Sequence, residues 1–134
     1  MWDETEIRVR YAETDKMGIV HHSNYYVWFE LGRSDYCRNR GFSYLEMEEE
    51  DNLLMVVAES QCRYKSPAFY EDVLIIKTRI EEIRSRSLTF EYEVERAADQ
   101  TRLATAKTKH LMTDNQKRIR KLPEKYRIML QQSE

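Results

Sequence analysis

The sequence predicts an α+β domain in which a strongly curved antiparallel sheet wraps one long central helix. Three observations predict it. A strand-like run, Ile7 to Tyr11, is followed from Asn24 by apolar residues at helical spacing over about 16 positions. After Asp51-Asn52 the pattern turns to period two and gives four further strands. The late connections, Arg84 to Ser87 and Ala98 to Thr101, are short and favour hairpins over crossovers. One strand, a helix and then four antiparallel strands exclude a doubly wound α/β fold, which needs alternating βαβ units.

Each element has its own signal. Residues 5 to 12 alternate weakly and make the first strand. In the helix, Tyr25, Trp28, Phe29, Tyr36 and Cys37 form one stripe, and Tyr26, Val27 and Leu31 widen it. So wide an apolar surface marks a helix wrapped by other structure. Ser23 or Asn24 can accept hydrogen bonds from its open first-turn amides, and Arg38 to Arg40 before Gly41 make a basic end and a stop. Glu30 and Arg33 are spaced to pair. Ser43 to Glu50 reads as a short helix, with Ser43 and Glu46 at capping-box spacing and its acids as a solvated face. The later strands cover 53–64, 73–83, 88–95 and 103–113, and Pro123 opens a terminal helix over 124–132. Val73 and Ile75 lie opposite Leu74 and Ile76, so strands are apolar on both faces. With open sheet edges, this predicts a homodimer through those edges, or a larger assembly.

Composition narrows the function. A chain of 134 residues is read as one domain over 1–134. Twenty-four acids against 22 bases leave a net charge of −2, which provides no global field for nucleic acid. No apolar stretch approaches the roughly 20 residues that span a bilayer. The start, MWDETEIRVR, lacks the features of a signal peptide. Cys37 and Cys62 are far apart and form no CxxC, which fits two reduced thiols and a cytoplasmic location.

The segment Arg8 to Glu30 carries the chemistry. One acid, Asp15, precedes Gly18, the apolar pair Ile19-Val20, two histidines and the pair Ser23-Asn24 at the helix start. That order brings a carboxylate and the partly positive end of a helix to one small volume, which suits attack on a polarised carbonyl. Taken alone, Thr14-Asp15 would be a turn and His22 a loop histidine. His21 and His22 with Asp15 or Glu13 could suggest zinc, but adjacent loop histidines seldom converge and no metal is expected. There is no G-x-S-x-G, no cysteine in a nucleophile's setting and no phosphate-cradling glycine loop.

The run Tyr11-x-x-Thr14-Asp15-x-x-Gly18-Ile19-Val20-x-His22-x-x-Tyr25, with Phe29-Glu30-x-x-Arg33, resembles the hotdog-fold acyl-CoA thioesterases. It is most similar to their 4-hydroxybenzoyl-CoA thioesterase-like group, which includes the small enzymes associated with the Tol-Pal system. Tyr64-x-x-Pro67-x-x-Tyr70-x-Asp72, Arg84-Ser85-Arg86-Ser87 and the ending Met112 to Tyr126 resemble the same pattern. The resemblance implies a five-stranded sheet around one helix, dimers or tetramers with the cleft between subunits, and hydrolysis without metal or cofactor. It implies Asp15 as nucleophile or general base. It also implies that the His22 backbone N–H, with its neighbours as far as Tyr25, holds the thioester oxygen, with the imidazole as a further donor. Asn24 and Tyr25 would bound the substrate, and Arg84, Arg86, Arg118, Arg120 and Lys121 would meet the phosphates of CoA. Acyl carrier protein shares the pantetheine arm and is a second possible carrier. Two rival readings are a non-catalytic acyl-CoA sensor and a hydroxyacyl-thioester dehydratase. Sensors generally add a DNA-binding segment, whereas here the first strand begins close to Met1. The usual His/acid motif of the dehydratases is not read here.

Overall fold

The computed structural model describes residues 1–132. The order is β1 (Asp3–Arg8), a 3-10 turn (Tyr11–Glu13), α1 (Asn24–Asn39), α2 (Tyr44–Asp51), β2 (Leu54–Tyr64), β3 (Val73–Ile83), β4 (Ser87–Arg96), β5 (Arg102–Thr113) and α3 (Glu124–Leu130). The five strands form one sheet in the order β1-β3-β4-β5-β2, with every neighbouring pair antiparallel. Register slips at Val57/Glu59, Ile80/Glu82 and Val94/Glu95 bend it around α1. None of the described helices is long and apolar enough to cross a membrane.

β4 lies at the centre because its alternation is complete. Leu88, Phe90, Tyr92 and Val94 are buried beneath α1. Phe29 stacks on Tyr92 with ring centroids 4.4 Å apart, and Tyr36 meets Phe90 edge-on at 5.6 Å. The helix starts at Asn24 and stops before Gly41 (φ +102°), as its spacing and breaker predict. Ser43 caps α2 by accepting a hydrogen bond from the Glu46 N–H at 3.1 Å. Cys37 is buried, Cys62 is half-buried, and both are free thiols.

Four expectations need correction. The first strand ends at Arg8, because the chain then bends into a turn in which the Arg10 N–H donates to Glu13 Oε1 at 2.7 Å. The terminal helix stops at Leu130 rather than at Gln132. Glu30 and Arg33 do not pair. Arg33 stands one turn on from Phe29, on the sheet-facing stripe, and its guanidinium donates to the Tyr44 and Tyr92 hydroxyls at 3.2 and 3.0 Å. Glu30 is exposed on the other side. The outer sheet face, finally, is not broadly apolar. Val73 and Ile75 are half-buried there, but beyond them runs a lattice of ion pairs: Lys77–Glu95 at 2.9 Å, Arg102–Glu93 at 3.2 Å, Lys107–Glu81 at 2.7 Å and Arg79–Glu91. The apolar residues of β3 that build the core are Leu74 and Ile76.

Arg33 begins a buried polar chain. The Tyr92 hydroxyl meets Thr108 Oγ1 at 2.6 Å, and Thr108 Oγ1 meets His110 Nε2 at 2.9 Å. Burial, and after it the Arg33 charge, pushes the His110 imidazole from 6.5 down to about 3. The folded chain therefore holds His110 neutral, whereas the unfolded chain takes up its proton as pH falls through 6.5. The stability it contributes is complete above that value and is lost progressively toward pH 3. Urea midpoints should fall between about pH 7 and 4, and His110→Gln should flatten that slope. An unchanged slope would assign the acid sensitivity to carboxylates instead.

Candidate active site

The link from β1 to α1 is built around two carboxylates with opposite fates. Glu13 is buried. Its Oε2 accepts from the Trp28 indole N–H at 3.0 Å and from the Arg10 guanidinium at 3.3 Å. Its backbone oxygen accepts from the His21 N–H at 2.9 Å and from the Asn24 side-chain amide, also at 2.9 Å. One residue thus fastens the loop to the helix at both ends.

Asp15 is exposed and heads a tight turn. The Gly18 N–H donates to the Asp15 carbonyl at 3.0 Å, and Gly18 takes φ +77°, a conformation that favours glycine. Asp15 Oδ1 accepts from the Met17 and Ile19 N–H groups at 2.8 and 3.3 Å. Oδ2 has no protein partner among the described residues. The turn therefore fixes the carboxylate through one oxygen and leaves the other open.

The backbone amides nearby show the complementary pattern. His21 N–H is bonded to Glu13 O, Ser23 N–H to His21 Nδ1, Asn24 N–H to His21 O and Tyr25 N–H to His22 O. Among the described residues, the His22 N–H alone in this stretch has no acceptor. The expected ring of amides thus narrows to one, because the chain enters α1 through a tight turn that uses the others. The capping expectation also changes. Ser23 Oγ engages His21 Nδ1 at 2.8 Å, and Asn24 donates to Glu13 O and His21 O instead of accepting from the helix.

Asp15, His22 and Tyr25 line one cavity of about 340 Å³ together with Val20, Tyr64 and Pro67. Tyr64, at the end of β2, donates its hydroxyl to the His22 carbonyl at 3.3 Å and packs edge-on to Tyr25 at 5.2 Å. Burial, and then the neighbouring Cys62, pushes the Tyr25 hydroxyl up to about 12, and burial raises Tyr64 and Cys62 as well. These groups stay protonated near neutral pH and form a neutral wall beside the Asp15 carboxylate.

Sequence reasoning singled out neither Glu13 as the anchor nor Tyr64 as a cleft wall. The spacing of Arg10 and Glu13, three apart like a capping box, is the one signal that could have found the first. The sequence-selected arginines lie elsewhere. Arg84 and Arg86 occupy the β3–β4 turn, at the end of the sheet away from the cleft. The length of β4, 10 residues or about 30 Å, separates them from it. Arg84 pairs with Glu82 at 2.7 Å and Arg118 with Asp114 at 2.8 Å. Arg120 donates to the carbonyls of Asp51 and Asn52 at 2.6 and 2.8 Å. A single chain does not bring them to Asp15.

A helix wrapped by a five-stranded antiparallel sheet, with a carboxylate at the helix entrance, defines the hotdog class. Residues 9–130 match the model of the thioesterase-like superfamily, and the chain belongs to that family of enzymes. It is 41% identical over 110 residues to an Aquifex aeolicus protein whose name proposes esterase activity, covering 82% of this chain and 84% of that one. It is 32% identical to the acyl-CoA thioesterase YbgC of Haemophilus influenzae, covering 75% and 74% respectively. The crystal structure of DHNA-CoA thioesterase from Staphylococcus aureus superposes with a TM-score of 0.83 at 32% identity, covering 90% of this chain and 79% of that one.

Proposed function

We propose that the protein hydrolyses acyl-CoA thioesters, with Asp15 as nucleophile or general base. One observation carries the reading: a single carboxylate oxygen and a single backbone N–H, both without protein partners among the described residues, belong to residues that border the same cavity. Asp15 Oδ2 attacks the thioester carbon, or takes a proton from a water that does so. The His22 N–H receives the developing oxyanion, a role typically worth about 2.7–4 kcal/mol. The C–S bond then breaks and CoA leaves as thiolate, and water supplies the oxygen of the free acid. Tyr25 and Tyr64 bound the acyl end. No metal or cofactor enters this scheme. A thioester on an acyl carrier protein offers the same pantetheine arm and is a second form of substrate.

The active unit is proposed to be a dimer formed through β2, an edge strand of 11 residues whose Val56, Val57 and Tyr64 are exposed. Antiparallel self-pairing sets the start of one β2 beside the end of its partner. Arg120, anchored just ahead of β2, would then approach the partner's cleft mouth, and the β3–β4 turn would follow. There the phosphates of CoA would also meet cations of the second subunit. A chain that turns over while remaining monomeric at micromolar concentration would remove this element.

Free-thiol release from a panel of acyl-CoAs tests the activity. Thiol appearing in step with free acid is the expected result. Binding without release would leave the sensor reading, and an unsaturated product with its thioester intact would favour the dehydratase.

A further inference from the structure

The cleft does not end at Tyr64. Lys65, the next residue, lines both the cleft and a second hollow of about 340 Å³ on the outer sheet face, whose walls include Arg63 and Thr105. Strand alternation explains the sharing. Tyr64 points to the inner face, while Arg63 and Lys65 stand on the outer one at the rim.

These two cations differ from their neighbours. The outer-face bases of β3 and β5 are committed: Lys77 to Glu95, Arg79 to Glu91, Arg102 to Glu93, Lys107 to Glu81 and Lys109 to Glu59. Arg63 and Lys65 have no carboxylate partner among the described residues. Glu91 and Glu93, which also line the hollow, are held by Arg79 and Arg102. Because both cations project from the outer face, pairing of the β2 backbone with a second copy leaves them open.

We propose that Arg63 and Lys65 form an anion-binding rim that holds the phosphate at the far end of the substrate's pantetheine arm. This rests on the thioesterase reading and adds a subsite supplied by the same chain as Asp15. Lysine offers phosphate a compact point charge, and arginine offers a planar fork. Coenzyme A and the phosphopantetheine of a carrier protein share this chemistry.

Steady-state kinetics on matched acyl-CoA, acyl-phosphopantetheine and phosphate-free acyl-pantetheine tests it, comparing wild type with Lys65→Ala, Arg63→Ala and Lys65→Arg. On acyl-CoA, each alanine variant should raise KM about tenfold, the size of one charge-assisted contact, with kcat much less affected. Lys65→Arg should restore KM. The effect should nearly vanish on acyl-pantetheine. Persistence on acyl-phosphopantetheine supports the phosphate of the pantetheine arm, whereas its loss there overturns that assignment in favour of the phosphates particular to CoA. An unchanged KM on acyl-CoA, or an equal rise on the phosphate-free ester, overturns the rim and leaves the thioesterase reading intact. Wild type inactive on all three esters would overturn both.

Discussion

Replacing Asp15 by asparagine should lower kcat by about a thousandfold, the scale on which positioned acid–base or nucleophilic groups act, while the protein stays folded. The turn explains why the two effects separate. Asp15 Oδ1 holds the loop by accepting from the Met17 and Ile19 N–H groups, and the amide oxygen of asparagine can accept the same two bonds. The second oxygen, which has no protein partner among the described residues, becomes an NH₂ group that can neither attack a carbonyl nor take a proton from water. KM should move little if the substrate is held mainly by its carrier arm and the cleft walls. Thermal melts alongside acyl-CoA turnover would check both halves. Turnover within a few-fold of wild type would remove Asp15 from the mechanism.

The largest effect on stability is expected at Gly32. An alanine in a helix normally gains about 1 kcal/mol over glycine. Here a Cβ at position 32 would lie 2.4 Å from Thr78 Oγ1 and 3.4 Å from Ile76 Cγ2. Thr78 is β-branched, fully buried on β3 and stiff about its first torsion, so it cannot easily move aside. Gly32→Ala should therefore destabilise the fold by about 2 kcal/mol through overpacking, seen as a lower urea midpoint. Thr78→Ala costs stability alone by opening a void, but combined with Gly32→Ala it should return part of the loss, with a coupling of about 0.5 kcal/mol or more. A single variant as stable as wild type would mean that α1 can lift from β3 at little cost.

Much of this architecture could be read from residue order. The limits of α1 were legible because Gly41 supplies a breaker and the aromatic spacing begins abruptly at Tyr25. β4 was legible because eight residues alternate without exception. That Asp15 and His22 share a cavity followed from local spacing, since both belong to one loop, whereas the roles proposed for them came from the resemblance. What escaped depends on contacts between distant segments. Whether Arg33 turns toward Glu30 or toward Tyr92 is decided by the sheet it packs on. The outer-face acids and bases look like solvated charges until the register pairs them across strands. The arginines expected at the phosphates of CoA lie, within one chain, at the other end of the sheet from Asp15, a placement that the antiparallel register decides. Tyr64 gave no sign of a wall because its neighbour His22 lies 42 residues away.

Glu13 has a broader consequence. Its carboxylate holds Trp28 and Arg10 while its carbonyl holds His21 and Asn24, so the proposed reacting groups sit in a loop fixed by the same bonds that seat the central helix. In the proposed mechanism their alignment would be settled when the chain folds. On that reading, substrate variety could change through the walls of the cleft without disturbing the Glu13 clamp that holds the loop of Asp15 and His22.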